Sequence, residues 1–155
     1  VVDAVDLMPD ALKVARRNVS AYRLANRVRL LRSDLFEELG ARRYDLIISN
    51  PPYVRAAVMR RLPQEYRSEP ALALAGGRDG LDLVRRILRQ AAAHLTRHGL
   101  LVVEVGHNRD RVERAFPRLE FTWPLTAGGD DCVFVLERAQ LCRPHALTGT
   151  GPAAP

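Results

Sequence analysis

The feature that most constrains the fold is an apolar run that stops abruptly at two prolines. Residues 44–49 read Tyr-Asp-Leu-Ile-Ile-Ser, and Asn50-Pro51-Pro52-Tyr53 follows directly. Apolar residues without alternation predict a strand that is buried on both faces, as in a parallel sheet. Proline donates no backbone hydrogen bond, and Pro51 favours extended geometry at Asn50. The strand is therefore expected to end at Asn50, at the sheet edge where open α/β folds bind ligands.

The rest of the chain alternates predicted strands and helices, which is typical of an α/β fold with a parallel sheet. The first half is expected to contain a strand over residues 1–5 that ends at Asp6, a helix that begins at Pro9, and strands over 28–31 and 44–49; the helix has an apolar face of Leu12, Ala15, Val19 and Tyr22. The second half is expected to contain a helix over 81–98 that stops at Gly99, a strand over 100–105 and a short helix over 112–116. Strands over 119–123 and 132–136 complete the prediction. The last two strands are expected to form an antiparallel hairpin at the edge of the sheet.

Length and composition set the class of protein. The chain has 155 residues, enough for one domain with its own core, which we place at residues 1–141. Residues 142–155 are rich in Pro, Gly, Ala and Thr and predict a disordered tail. No apolar run approaches the roughly 18 residues that a membrane span needs. Cys132 and Cys142 fit neither a metal site nor a disulfide framework, so we expect a cytoplasmic protein without a metal.

The positive charge has two interpretations. The net charge is +6, and Lys13 is the only lysine among 24 Lys and Arg residues. A GC-rich genome explains this excess of arginine, and a surface that faces nucleic acid or the ribosome explains it too. Because the arginines are scattered, the charge allows no more than weak contact with ribosomal RNA.

A long segment between the double proline and the next helix predicts a functional lid. It runs from Val54 to Gly80 and contains two prolines and three glycines. Loops longer than about 12–15 residues are usually functional or disordered. The mixed charged and aromatic stretch over residues 65–70 is unlike a flexible linker, which favours the lid.

Polar residues follow three of the predicted strands. Asp6 is placed to accept hydrogen bonds from a ribose diol, or alternatively to cap the next helix. Asp34 offers an acceptor beside Leu35, which offers apolar surface to a purine, although an aspartate in a turn is commonplace. Because the carboxyl ends of parallel strands meet at one edge, we expect Asp6, Asp34 and Asn50 to share one rim.

The Asn-Pro-Pro-Tyr sequence suits chemistry on a planar nitrogen. The lone pair of an amide or a base amine is delocalised, so such a nitrogen attacks poorly. The Asn50 side-chain oxygen and the Pro51 carbonyl can each accept one N–H, which favours the tetrahedral geometry that frees the lone pair. Pro52 makes the rim rigid, and Tyr53 can stack on the planar group. The alternative is a turn that only forms a loop.

On these motifs the chain resembles the HemK/PrmB family of protein glutamine methyltransferases, which are class I S-adenosylmethionine-dependent enzymes. The resemblance covers residues 2–141, and its motifs are Ala4–Leu12, Ser33–Phe36 and Asn50–Val54. Leu62–Pro70, Gly77–Leu81, Phe121–Trp123 and Gly128–Asp130 are similar to the PrmB-like branch.

The resemblance implies a Rossmann-like sheet, S-adenosylmethionine as cofactor, and methylation of a glutamine side-chain amide of large-subunit ribosomal protein three. It further implies cofactor contacts at Asp6, Asp34, Leu35 and Asn50. Residues 50–53 would hold the substrate glutamine, with catalytic roles for Asn50, Pro51 and Tyr53.

The sequence also departs from the family pattern. The family's first strand, the Gly-rich loop after it and the N-terminal helical domain are absent from residues 1–155. In this fold the first strand lies between the strand that ends at Asp6 and the strand over 44–49, so we expect a gap with two unpaired edges. We therefore expect a partial catalytic domain that is inactive alone and binds S-adenosylmethionine poorly, which calorimetric titration measures.

Two other functions remain open on the sequence. A methyltransferase that acts on adenine, cytosine or guanine amines would use the same Asn-Pro-Pro-Tyr chemistry, and the net charge of +6 suits it. A non-catalytic remnant or ribosome-binding module would explain the missing Gly-rich loop. The intact Asn50–Tyr53 sequence argues against long decay.

Overall fold

The computed structural model of the chain describes residues 1–59, 74–127 and 132–148. The chain divides into two compact units, Val1–Arg42 and Arg43–Pro155. None of the described helices is long and apolar enough to cross a membrane.

The first unit is a parallel strand pair with one helix. Its elements are β1 (Val2–Asp6), α1 (Pro9–Ala21), β2 (Val28–Arg32) and a 3-10 helix (Glu37–Leu39). β1 pairs with β2 in parallel, from Val2 opposite Val28 to Asp6 opposite Arg32. The two strands and the start of α1 agree with the sequence prediction to within a residue, and the 3-10 helix was not predicted. The apolar face predicted for α1 is shorter than expected, because Tyr22 lies beyond the helix and is 77% exposed.

The second unit is a three-stranded mixed sheet with four helices in its described part. The strands are β3 (Tyr44–Ser49), β4 (Leu95–Glu104) and β5 (Val133–Glu137), and the helices are α2 (Ala56–Met59), α3 (Asp82–His94), α4 (Arg109–Ala115) and α5 (Arg138–Leu141). The strand order is β3-β4-β5, with β3 parallel and β5 antiparallel to β4. Its core joins α3, β4, β5 and α5 through Val84, Ile87, Leu88, Ala91, Leu101, Val103, Phe134, Leu136 and Leu141.

Helix α3 ends earlier than its sequence predicts. It stops at His94, and β4 begins at Leu95, which is fully buried and pairs with Tyr44. The register then shifts, so that Leu46 pairs with Leu100. Gly99 therefore does not terminate a helix. A Cβ at Gly99 would lie 2.8 Å from the Tyr44 carbonyl oxygen, so the glycine allows β4 to pack closely on β3.

The antiparallel edge is confirmed, with β5 as its strand. The partner segment over 119–123 contributes a single bridge, in which Thr122 and Val135 exchange two backbone hydrogen bonds. Pro124 follows soon after and cannot donate to a ladder, which limits the pairing. Residues 142–148, which the sequence places in the tail, form hydrogen-bonded turns in which Ala146 is buried. Residues 149–155 lie outside the described residues.

Strand β3 is not buried on both faces, contrary to the sequence prediction. Leu46 is 49% exposed and Ile48 is 71% exposed, and both lie on the same face of the strand. The described helices α3 and α5 contact β4, where Leu101 and Val103 are fully buried. Within the described residues, β1 pairs only with β2 and β3 only with β4, so the strands form two separate sheets. The gap expected between β1 and β3 concerns both units and stays a prediction.

Candidate functional site

The Asn-Pro-Pro-Tyr sequence forms a loop directly after β3, and we call residues 50–54 the proline loop. Asn50 is exposed, Pro51 is buried, and Pro52 and Tyr53 are half-buried. Two consecutive prolines fix φ at two positions and remove two donors. The loop therefore has a stiff backbone while its first side chain stays accessible to solvent.

A glycine segment holds the far end of the proline loop. The Val54 amide donates to the Leu74 carbonyl at 2.9 Å, and the Gly76 amide donates to the Val54 carbonyl at 2.8 Å. A Cβ at Gly76 would lie 2.7 Å from the Tyr53 Cα, and one at Gly80 would lie 2.5 Å from the Tyr53 oxygen. Gly80 also has φ +86, a conformation that L side chains rarely adopt. Residues with side chains do not fit at these two positions.

An ion pair anchors this glycine segment to helix α3. Asp79 accepts two hydrogen bonds from the Arg85 guanidinium and one from the Leu81 amide at the start of α3. Arg85 lowers the pKa of the Asp79 carboxyl by hydrogen bonding, burial acts in the opposite direction, and the pKa of Arg85 is raised in turn. The charged pair thus links the backbone beside Tyr53 to a buried helix.

The Tyr53 ring rests on the end of β4. Gly106 has φ +53, and a Cβ there would lie 2.7 Å from the Tyr53 Cε2 atom. The Tyr53 hydroxyl donates to Glu104 Oε1 at 3.5 Å. The ring edge is therefore in contact with a backbone position that only glycine leaves open.

In the first unit, Asp6 and the loop over residues 33–36 are adjacent. The Ser33 amide donates to the Asp6 carbonyl at 3.1 Å, so the ends of β1 and β2 meet. Asp6 Oδ1 accepts the Met8 amide at 2.7 Å, which gives Asp6 a part in the turn before α1. Within the described residues, Asp6 Oδ2 has no hydrogen bond. A carboxylate at a strand end with an open acceptor fits one hydroxyl of a ribose diol.

Leu35 has a strained backbone. Its φ is +52, which is uncommon for a residue with a branched side chain. The Ser33 hydroxyl donates to the Leu35 carbonyl at 3.0 Å and accepts the Glu38 amide at 3.0 Å, so a buried serine holds the loop in this conformation. Strain that is maintained by surrounding contacts clusters at functional sites, which favours Leu35 as a ligand contact.

The structure brings together part of the predicted site in each unit. Asp6, Asp34 and Leu35 are neighbours in the first unit, and Asn50, Pro51, Pro52 and Tyr53 are contiguous in the second. The single rim expected for all of them spans the two units and stays a prediction. The segment over residues 65–70, on which the lid prediction rests, lies outside the described residues, as does Gly128–Asp130 of the branch-specific motifs.

The residues that hold Tyr53 were not predicted from the sequence. They are Gly76, Gly80, Glu104 and Gly106, together with Asn108, whose side-chain amide donates to the Tyr53 carbonyl. A glycine directly after a buried strand was visible at Gly106, but a glycine alone does not show which ring approaches it. Among the described residues, no group of three His, Cys, Asp or Glu side chains is arranged to hold a metal ion.

Comparison with known proteins shows which proteins this chain is similar to. The sequence-family model named methyltransferase small domain matches residues 1–65. The ribosomal protein uL3 glutamine methyltransferase of Bordetella pertussis is 56% identical over 140 residues, which is 90% of this chain and 47% of the relative. The protein of the same name from Neisseria meningitidis serogroup A is also 56% identical, over 90% of this chain and 46% of its own length.

By sequence, the chain is similar to methyltransferases of the HemK/PrmB family, as its motifs predicted. It spans about half the length of the curated relatives it matches. Its fold is similar to that of a solved methyltransferase from Pyrococcus furiosus, with a TM-score of 0.61 at 18% identity over 88% of this chain and 62% of the other. This confirms the class I methyltransferase fold expected from the sequence.

Proposed function

We propose that the protein containing this chain uses S-adenosylmethionine to methylate a glutamine side-chain amide of ribosomal protein uL3. The observation that carries the proposal is the proline loop, whose far end is held by glycine contacts while Asn50 stays exposed. The relatives named uL3 glutamine methyltransferase, 56% identical over 90% of this chain, support this substrate over others.

The proline loop would activate the amide nitrogen by positioning. The Asn50 Oδ1 atom and the Pro51 carbonyl each accept one N–H of the glutamine amide, which favours the geometry in which the nitrogen lone pair is available. The Tyr53 ring lies against the planar amide group. No strong base is required, because the proton is lost to solvent after the nitrogen has gained the methyl group.

The first unit would hold the cofactor. Bound S-adenosylmethionine supplies the electrophilic methyl group. The Asp6 carboxylate would accept hydrogen bonds from the ribose, and Asp34 and Leu35, the latter with φ +52, would contact the adenine. Asn50 would contribute to both cofactor and substrate binding. Methylation of a ribosomal protein would take place in the cytoplasm. Weak contact of the arginines with ribosomal RNA would assist the encounter of the enzyme with its substrate.

The test is methylation by the full-length protein with a labelled methyl donor. Unmethylated uL3, ribosomal RNA and DNA are offered separately, and mass spectrometry locates the label. We expect label on one uL3 glutamine, and about 10²-fold slower transfer for Asn50→Ala, by analogy with the loss of one preorganised hydrogen bond. Asn26→Ala, an exposed loop substitution, serves as the matched control.

Two results would contradict the proposal. Label found only in RNA or DNA would favour the amine methyltransferase, and equal rates for Asn50→Ala and Asn26→Ala would exclude Asn50 from catalysis. The complete absence of label, with S-adenosylmethionine bound or not, would favour the non-catalytic module.

A further inference from the structure

The side chain of Asn108 joins the proline loop to the end of β4. Asn108 is 8% exposed and stands between the turn at Gly106 and helix α4. Its Nδ2 atom donates to the Val105 carbonyl at 2.9 Å and to the Tyr53 carbonyl at 3.4 Å. A buried amide thus connects two backbone segments that lie more than 50 residues apart in sequence.

Arg111 fixes the orientation of this amide. Its guanidinium donates to Asn108 Oδ1 at 2.9 Å. Carbonyl oxygens only accept hydrogen bonds and a guanidinium only donates, so the opposite orientation of the amide would lose all three contacts. The Nδ2 atom is therefore directed at Val105 and Tyr53.

Asn108 occupies a capping position without capping the helix. It is the N-cap residue of α4, yet its side chain makes no capping hydrogen bond. Asparagine is among the most favoured N-cap residues because its side-chain oxygen accepts an amide of the first turn. Here the side chain is used for the Tyr53 and Val105 carbonyls instead. A role in helix stability alone does not explain this choice of partners.

We propose that Asn108 is a positioning residue that sets the Tyr53 peptide, and through it the proline loop, for the acceptor substrate. The proposal rests on the proposed function for its kinetic part. Its structural part, the attachment of the proline loop to β4, does not depend on any activity.

The informative variant is Asn108→Asp. Aspartate is as well accepted as asparagine at an N-cap position, so the start of α4 is not disfavoured, and the shape of the side chain is unchanged. The carboxylate cannot donate to Tyr53 or Val105, and it places negative charge beside two carbonyl oxygens. Asn26→Asp introduces the same charge at an exposed loop position and is the matched control.

The first measurement is amide hydrogen exchange in the full-length protein. The Val54 and Gly76 amides, which bond to Leu74 and Val54, report on the proline loop. We expect their exchange to become about tenfold faster in Asn108→Asp, which corresponds to the loss of a typical buried hydrogen bond. Exchange in β5 and in the Asn26→Asp control should not change. Unchanged exchange at Val54 and Gly76 would overturn the proposal whether or not the protein methylates uL3.

The second measurement separates substrate from cofactor binding. For Asn108→Asp we expect the KM for uL3 to rise about tenfold, with the affinity for S-adenosylmethionine as in Asn26→Asp. Equal KM values in the two variants, in a protein that methylates uL3, would overturn the positioning role. If the wild-type protein does not methylate uL3, the proposed function fails, and the exchange experiment still decides the structural part.

Discussion

Replacing Gly106 by alanine tests whether the Tyr53 ring must be where the structure places it. The added Cβ would lie 2.7 Å from Tyr53 Cε2 and 3.0 Å from Cζ. Ordinary carbon contacts begin near 3.4 Å, so the ring has to move by about 0.7 Å, a displacement of the size that disturbs catalytic geometry. The backbone adds its own cost, because φ is +53 and a left-handed conformation costs an alanine about 1–2 kcal/mol.

The structure separates these two effects. Overpacking at a tight contact costs about 1–3 kcal/mol, so Gly106→Ala should lower the free energy of unfolding by about 2–5 kcal/mol in total. Gly40→Ala is the control, because Gly40 has φ +57 and a Cβ there would meet nothing within 4 Å. It should destabilise the protein through its backbone alone.

The assay measures the rate of methyl transfer to uL3 by both full-length variants, well below their unfolding temperatures. Circular dichroism measures those unfolding temperatures. We expect Gly106→Ala to be about 10- to 100-fold slower than wild type and Gly40→Ala to be unchanged. If the two variants methylate at the same rate while both remain folded, the position of the Tyr53 ring does not matter for the reaction. The reasoning about the glycine contacts would then be wrong.

Two further predictions concern the supporting residues. Asp79→Asn should lower the free energy of unfolding by about 1 kcal/mol or less at neutral pH, since the pair is partly exposed. Arg85 lowers the pKa of Asp79 below its ordinary 3.8. The difference in free energy of unfolding between wild type and Asp79→Asn should therefore be largest above pH 3.8 and disappear as the pH falls through the lowered pKa. Urea denaturation at several pH values measures this difference. Leu35→Gly should change the free energy of unfolding by less than about 1 kcal/mol, because relief of the positive φ offsets the greater freedom of glycine. It should still weaken S-adenosylmethionine binding by calorimetry, and unchanged affinity would remove Leu35 from the cofactor site.

Strands β1, β2, β3 and β5 were predictable because their signals are local. β3 matches its predicted bounds, because the two prolines that follow the apolar run cannot donate hydrogen bonds and so end the strand. The junction of α3 and β4 was not predictable in the same way. Residues 81–98 continue a helical pattern, and only the buried pairing of Leu95 with Tyr44 ends the helix at His94. Pairing with a distant strand overrides local propensity, and a single sequence does not show which strand that is.

The candidate site was likewise predictable only where its signals are local. Asn50 and the prolines were recognisable because their chemistry is carried by neighbouring residues in the sequence. The residues that hold Tyr53 lie 23 to 55 positions away in the sequence, and each is ordinary by itself. Asn108 resembles a helix cap, and Gly106 resembles a turn. Their role follows only from what they touch, which is the Tyr53 carbonyl and ring.

These contacts explain how an exposed asparagine can be well positioned. The Asn50 side chain, which we propose receives the substrate, cannot itself be fixed by many partners. Its backbone therefore has to be restrained by the residues that follow it. Pro51 and Pro52 transmit that restraint, because their fixed φ angles leave little freedom between Asn50 and Tyr53. The hydrogen bonds of Val54 and Gly76, and the close approach of Gly76, Gly80 and Gly106, then act on Tyr53 and its neighbour. A double proline transmits restraint best from a residue that is held as tightly as Tyr53, so the site that we propose includes the glycines and Asn108 as well as the motif.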